Sequence, residues 1–424
     1  MRIRVEGRRP LRGTYHISAN TNAAIALITA AMLSPTPVSL VGLPDTVGVG
    51  VLLEVAGTLG LTTEANGAVT TLHTPEMIGR ALSREHTDAL SGTFLLIAPI
   101  LARRRHARMT IDYPLSRLHP HLRALRDLGV GITMDGGVID LKAAVWKQKE
   151  IVLSQASVTA TVLTAILAAA LGEQTTIRHA ACEPHVVDAL LLLGQMGARI
   201  EGAGSNLVTI YGRGGKDDLA FDGAPFPITP DHIEAASVAA LAVLSGGWLT
   251  IEGTRRRDMK VITPVYERLG VQLGVSEDAL NVPAHDQLRL SARDEDVDVA
   301  VESAPWYGFP SDLIGMATVI ATQAQGTVLI HEKLYSNRLL FVDKLNAMGA
   351  QIVLCDPHRA IVIGGTRLNA DYIDNPDARI GLAMLGAAFA AEGETVIDTA
   401  EAFERTFDHV LDKLVAVGAG IRRG

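Results

Sequence analysis

Residues 311–330 read SDLIGMATVIATQAQGTVLI. After Asp312 this stretch carries no charge, and apolar or small side chains occupy every face of the helix it would form. A helix that is apolar all round belongs inside a core. The helical run ends at Gly326, and Thr327-Val328-Leu329-Ile330 follows as a β-type segment. Buried helix, glycine, strand is therefore the local pattern. It predicts a core helix handing the chain directly to a sheet.

The same pattern recurs along the chain, at 21–33, 90–103, 157–171, 231–245, 311–325 and 377–392. Four copies stop at a glycine, namely Gly172, Gly246, Gly326 and Gly393. A second, amphipathic stretch also recurs, each time ending in a hydrophobic residue and glycine: Leu59-Gly60, Leu128-Gly129, Met196-Gly197, Leu269-Gly270, Met348-Gly349 and Val417-Gly418. The intervals between these glycines are 69, 68, 73, 79 and 69 residues. Glycine can take the left-handed conformation that closes a helix and releases the chain into a strand. Repetition at this period predicts six copies of one α/β unit, each of the βαβαββ type.

A chain of 424 residues exceeds what a single core ordinarily serves. Two domains of three units each are expected, with three buried helices at each centre and sheets around them. The Pro-rich stretch Ala224-Pro225-Phe226-Pro227-Ile228-Thr229-Pro230 marks the break. Counting units leaves the first strand without a partner in the first domain. The expected division is thus 21–229 against 230–424 plus 1–20, with the site in the cleft between domains, where ligands commonly bind.

Composition narrows the function classes. The formal net charge is −8 and only 4% of residues are aromatic, which argues against a nucleic-acid surface. The clusters Arg103-Arg104-Arg105 and Arg255-Arg256-Arg257 read as solvated faces or turns. Cys182 and Cys355 cannot build a disulfide framework, and no Cys/His spacing suggests a metal. The N-terminus lacks the apolar core of a signal peptide, and no apolar run is long enough to span a bilayer. A cytoplasmic protein without membrane attachment, monomeric or weakly oligomeric, is expected.

At specific positions the chain resembles the enolpyruvyl transferases, over essentially its whole length. It is more similar to the UDP-N-acetylglucosamine branch than to the shikimate-phosphate branch. The motif Phe309-Pro310-Ser311-Asp312 opens the fifth buried helix where the family places an aspartate beside the acceptor hydroxyl. The resemblance implies Asp312 as the general base, since adding an alcohol to the double bond of phosphoenolpyruvate releases the hydroxyl proton. Read without the family, Ser311 and Asp312 are equally suited to capping a helix. Arg338 in Ser336-Asn337-Arg338, Arg379 in Asp377-Ala378-Arg379 and Arg405 in Phe403-Glu404-Arg405-Thr406-Phe407 match family arginines that grip phosphoenolpyruvate. Guanidinium forks suit carboxylate and phosphate alike.

On the acceptor side, Asn22 matches an asparagine that touches substrate, and Ser157-Val158 matches a segment holding the nucleotide diphosphate. A plain helix start is the alternative reading for both. The chain departs from the family in several places. Thr21 stands where the family has lysine, and Ser91 where it has arginine. The segment Asp112-Tyr113-Pro114-Leu115-Ser116-Arg117-Leu118-His119-Pro120-His121 lacks the family's loop cysteine, with Arg117 aligning to a loop arginine on phosphoenolpyruvate and His121 to a residue near the nucleotide.

The resemblance implies an inside-out α/β barrel fold and transfer of the enolpyruvyl (carboxyvinyl) group of phosphoenolpyruvate to a hydroxyl of a uridine nucleotide. UDP-N-acetylglucosamine, whose product feeds peptidoglycan synthesis, is the first expected acceptor. The departures keep two alternatives open: a paralogue using another nucleotide such as UMP, and a non-catalytic nucleotide-binding homologue. No metal or organic cofactor is implied, because phosphoenolpyruvate carries its own leaving group.

Overall fold

The computed structural model describes residues 1–216, 218–291, 299–374 and 380–424. The chain divides into two compact units: an N-terminal unit, Ala19–Thr229, and a split unit, Met1–Ser18 with Pro230–Gly424. Each has its own continuous hydrophobic core.

Six buried helices, numbered here in chain order, form the centres. They are α1 (Thr21–Ala31), α2 (Ile97–Arg104), α3 (Val158–Leu171), α4 (His232–Leu244), α5 (Ile314–Gln323) and α6 (Ala383–Ala390). Short 3-10 turns, Ser91–Leu96 and Ser311–Leu313, lead into α2 and α5. In the N-terminal unit α1, α2 and α3 pack on one another, and in the split unit α4, α5 and α6 do the same. Small residues allow this close approach. A Cβ added at Gly386 of α6 would lie 3.1 Å from Leu244 of α4 and 3.2 Å from Met316 of α5. Helix α3 shows the local logic: Ser157 accepts a hydrogen bond from the Ala160 N–H, no charge interrupts the next fourteen residues, and the helix passes at Gly172 straight into a strand. Each Val, Leu or Ile so buried contributes about 1.5–3 kcal/mol against exposure.

Around the helices, the described residues form six four-stranded sheets of one pattern. In the first, Phe226–Pro227 lies parallel to Val38–Val41, which pairs antiparallel with Val69–His73, itself antiparallel to Thr62–Asn66. Val38–Val41, His106–Thr110, Gly172–Arg178, Trp248–Glu252, Thr327–His331 and Glu394–Ile397, each following a buried helix, take the second position; after α5 the short strand Ala324–Gln325, paired parallel with Leu288–Arg289, comes first. The chain's first strand completes the last sheet: Ile3–Glu6 sits between Glu394–Ile397 and Gly420–Arg423, antiparallel to both. Arg12–His16 lies parallel to Trp248–Glu252. All six glycines that close the amphipathic helices have positive φ, from 80° at Gly129 to 109° at Gly60.

One basic cluster departs from its expected solvated setting. Arg103 turns inward and donates to the carbonyls of Met32, Thr74 and Pro75. Met32 closes α1, and the last carbonyls of a helix have no partner within it, so a guanidinium with several donors fills that need.

Candidate active site

In the split unit the structure brings two of the expected residues into direct contact. Asp312 lies in the turn before α5 and Arg338 in the loop after strand Thr327–His331, and the guanidinium donates to Oδ1 of Asp312 at 2.8 Å. Arg338 is 13% exposed and Asp312 50%, so the pair opens to solvent from the carboxylate side. The guanidinium also stands 4.5 Å from the centre of the Tyr335 ring, within cation–π range.

The capping alternative for this turn is not what its side chains do. No side-chain cap hydrogen bond is formed at Ser311–Leu313. Ser311 instead donates to Oε2 of Glu332 at 2.6 Å, while Asp312 is engaged by Arg338.

His232, the first residue of α4, is buried behind this corner, with its ring edge-on to Trp306 at 5.1 Å. Burial pulls its pKa down to about 4; the nearby Asp312 carboxylate opposes that shift and Arg255 adds to it. It is therefore a neutral neighbour of Asp312 at pH 7. Arg255 is itself bonded to Asp258 at 2.7 Å. Arg405 is exposed just beyond the short helix Glu401–Glu404. Arg379 lies outside the described residues.

In the N-terminal unit, the Oδ1 that caps α1 belongs to Asn20, which accepts from the Ala23 N–H at 2.9 Å. Asn22 is left exposed on the first turn of the helix. Thr21 is buried and donates to the Thr46 hydroxyl at 3.3 Å. Ser157 caps α3 and Val158 is its first residue. His121 joins this end of α3, with its Nε2 2.7 Å from the Thr159 hydroxyl and its ring edge-on to Phe94. Burial lowers the His121 pKa to about 4, with a backbone hydrogen bond to Leu118 opposing, so the ring is neutral at pH 7. His121, Ser157 and Val158 thus gather at one helix start.

Arg117 is exposed in the turn Leu115–Leu118, 5.9 Å from the Tyr113 ring centre. Asp112, in the same segment, pairs with Arg84. An open pocket of about 520 Å³ lies between Ile111–Leu115 and the hairpin Met134–Ile139. Among the described residues no group of three or more His, Cys, Asp or Glu side chains is placed to hold a metal ion, and no helix is long and apolar enough to cross a membrane.

Glu332 was not singled out by its sequence context, yet it is fully buried beside the Asp312 turn. A signal did exist. Val328 and Ile330 face inward on their strand, and Glu332 continues the same period of two.

The family model for EPSP synthase (3-phosphoshikimate 1-carboxyvinyltransferase) matches residues 5–414. The chain belongs to this enolpyruvyl transferase family. Among curated relatives, it is 37% identical over 424 residues to the UDP-N-acetylglucosamine 1-carboxyvinyltransferase of Treponema pallidum (strain Nichols), covering 99% of this chain and 98% of that protein. The enzyme of the same name from Bradyrhizobium diazoefficiens is 36% identical over 426 residues, covering 99% and 97%. Among solved structures, the enolpyruvyl transferase NikO from Streptomyces tendae superposes with a TM-score of 0.88 at 23% identity, covering 99% of this chain and 98% of that one. An EPSP synthase from Acinetobacter baumannii gives 0.73 at 15% identity, covering 99% of both chains. These two likenesses establish the fold.

Proposed function

We propose that this protein transfers the enolpyruvyl group of phosphoenolpyruvate to a hydroxyl of a uridine nucleotide, with UDP-N-acetylglucosamine the first choice of acceptor. The observation that carries the reading is the 37% identity to a UDP-N-acetylglucosamine 1-carboxyvinyltransferase along almost the entire chain. The contact between Asp312 and Arg338 supports it chemically, because it joins a carboxylate that can take a proton to a guanidinium that can hold an anion.

In this reaction the acceptor oxygen bonds to C2 of phosphoenolpyruvate, its proton passes to Asp312, and C3 gains a proton. Loss of a C3 proton and departure of inorganic phosphate then restore the double bond. Arg338, Arg379, Arg405 and Arg117 hold the anion of phosphoenolpyruvate. Asn22, His121, Ser157 and Val158 hold the acceptor. His121 does so as a neutral ring, which donates or accepts a hydrogen bond without adding charge. The inside-out arrangement of six βαβαββ units, with helices central and sheets outside, belongs to the same reading.

A second reading, with a different nucleotide such as UMP as acceptor, is supported on the acceptor side, where the chain departs from the family around Gln155 and Thr159 and the Thr159 hydroxyl lies 2.7 Å from Nε2 of His121. Thr21, buried against Thr46, supplies no cation where the family carries lysine, which bears instead on a non-catalytic homologue. Phosphate release from phosphoenolpyruvate, measured against acceptors including UDP-N-acetylglucosamine and UMP, decides between them. Release with one acceptor names the substrate. Silence across the panel, with nucleotide still bound, overturns both readings in favour of a non-catalytic homologue.

A further inference from the structure

Glu332 is 0% exposed, as is the neighbouring Ser303. A carboxylate in such a place is sustained only if donors satisfy it. Four do. Oε1 accepts from the Ser303 hydroxyl at 2.9 Å and from the N–H groups of Leu334 at 2.8 Å and Tyr335 at 3.0 Å, while Oε2 accepts from the Ser311 hydroxyl at 2.6 Å. An ionised carboxylate accepts and never donates, which suits this all-donor shell. The backbone at Glu332 is fixed as well, its N–H donating to the His358 carbonyl and its carbonyl lying 2.7 Å from Nδ1 of His358.

The two oxygens therefore clamp different segments. Oε2 fixes Ser311, whose next residue is Asp312. Oε1 fixes the backbone of Leu334 and Tyr335, and the Tyr335 ring lies under the Arg338 guanidinium. Between them the chain turns through Asn337 at a φ of +67°, which asparagine tolerates better than most side chains. Both members of the Asp312–Arg338 contact are thus placed by segments that one buried side chain holds together.

We propose that Glu332 is a positioning residue, setting the 2.8 Å contact between Asp312 and Arg338 from inside the core without touching substrate. The inference rests on the reading of that pair as part of the phosphoenolpyruvate site. Ser311 is its transmitting partner.

The test compares wild type with Ser311→Ala, Ser311→Thr and Glu332→Gln by crystallography, phosphoenolpyruvate titration and thermal melting. Ser311→Ala removes a single donor, and Glu332→Gln keeps the shape of the side chain while removing its charge. In both, the Asp312–Arg338 contact is expected to open beyond hydrogen-bond distance. The dissociation constant for phosphoenolpyruvate should rise roughly tenfold to a hundredfold, the scale on which small misplacements act. Ser311→Thr, which retains the hydroxyl, should restore both. A merely structural Glu332 would lower the melting temperature and leave contact and affinity unmoved, and that result overturns the inference. If wild type itself fails to bind phosphoenolpyruvate, the enolpyruvyl reading falls. The contact distance in Ser311→Ala then decides the role of Glu332 alone, opened in its favour and retained against it.

Discussion

Replacing Arg338 with alanine separates anion binding from folding, because the structure assigns different magnitudes to each. The guanidinium is 13% exposed, but its partner Asp312 is 50% exposed. Ion pairs in such settings stabilise the fold by at most about 1 kcal/mol. Loss of the cation–π contact with Tyr335 adds about 0.5–1 kcal/mol. The folding cost is thus no more than about 2 kcal/mol, and a domain of about 200 residues loses ~2–4 °C of melting temperature per kcal/mol, giving about 4–8 °C. For the ligand the account differs. A charge-assisted hydrogen bond from a guanidinium to a bound anion is worth about 1.5–3 kcal/mol, so the dissociation constant for phosphoenolpyruvate should rise ~10- to 150-fold. Calorimetric titration with phosphoenolpyruvate, beside scanning calorimetry of the same preparations, reads both quantities. An unchanged affinity with a lowered melting temperature would show that Arg338 serves the fold alone, and would remove it from the site.

Three further outcomes are expected. Lys413→Met strands Glu234, which is 1% exposed and otherwise bonded to the Tyr15 hydroxyl and the Ser18 N–H. Stability should fall by about 3–5 kcal/mol in urea denaturation, and a wild-type midpoint would refute that. His121 takes its proton near pH 4 when folded and about 6.5 when unfolded. The unfolded chain therefore binds more protons between those values, so this contribution is complete above about pH 6.5 and is lost at ~1.4 kcal/mol per unit as pH falls. Denaturation midpoints at pH 5 and 7 should accordingly converge in His121→Gln relative to wild type. Finally, Gly60→Ala and Gly418→Ala both place a side chain at positive φ, costing about 1–2 kcal/mol. Only at Gly60 does the new Cβ also fall 2.4 Å from a backbone oxygen, that of Glu76, against 3.6 Å to the nearest atom at Gly418. The Gly60 variant should be clearly the less stable in chemical denaturation.

The architecture was legible where a local pattern carries it. Apolar runs without a polar face announced α1 to α6, and hydrophobic-Gly pairs announced the helix ends, because both depend on residues adjacent in the chain. Contacts between distant residues left less trace. Ser311 looked like a cap, yet its hydroxyl reaches 21 residues onward to Glu332. The arginine cluster at 103–105 looked solvated, because nothing nearby in the chain shows that the carbonyls of Met32, Thr74 and Pro75 end within reach. Family likeness directed attention to Asp312 and Arg338. Their mutual distance, and the buried carboxylate behind them, came only with the fold.

The place of the first strand bears on how the protein is made. Ile3–Glu6 pairs with residues 394–397 and 420–423, so its partners emerge from the ribosome roughly 390–420 residues later. At ~5–20 residues per second that delay is on the order of 20–80 s. The N-terminal unit, complete at Thr229, has its whole core translated long before. During synthesis residues 3–6 are therefore an unpaired β-strand in waiting, ahead of a unit whose core is already translated, and this sheet closes only once residues 420–423 have been made.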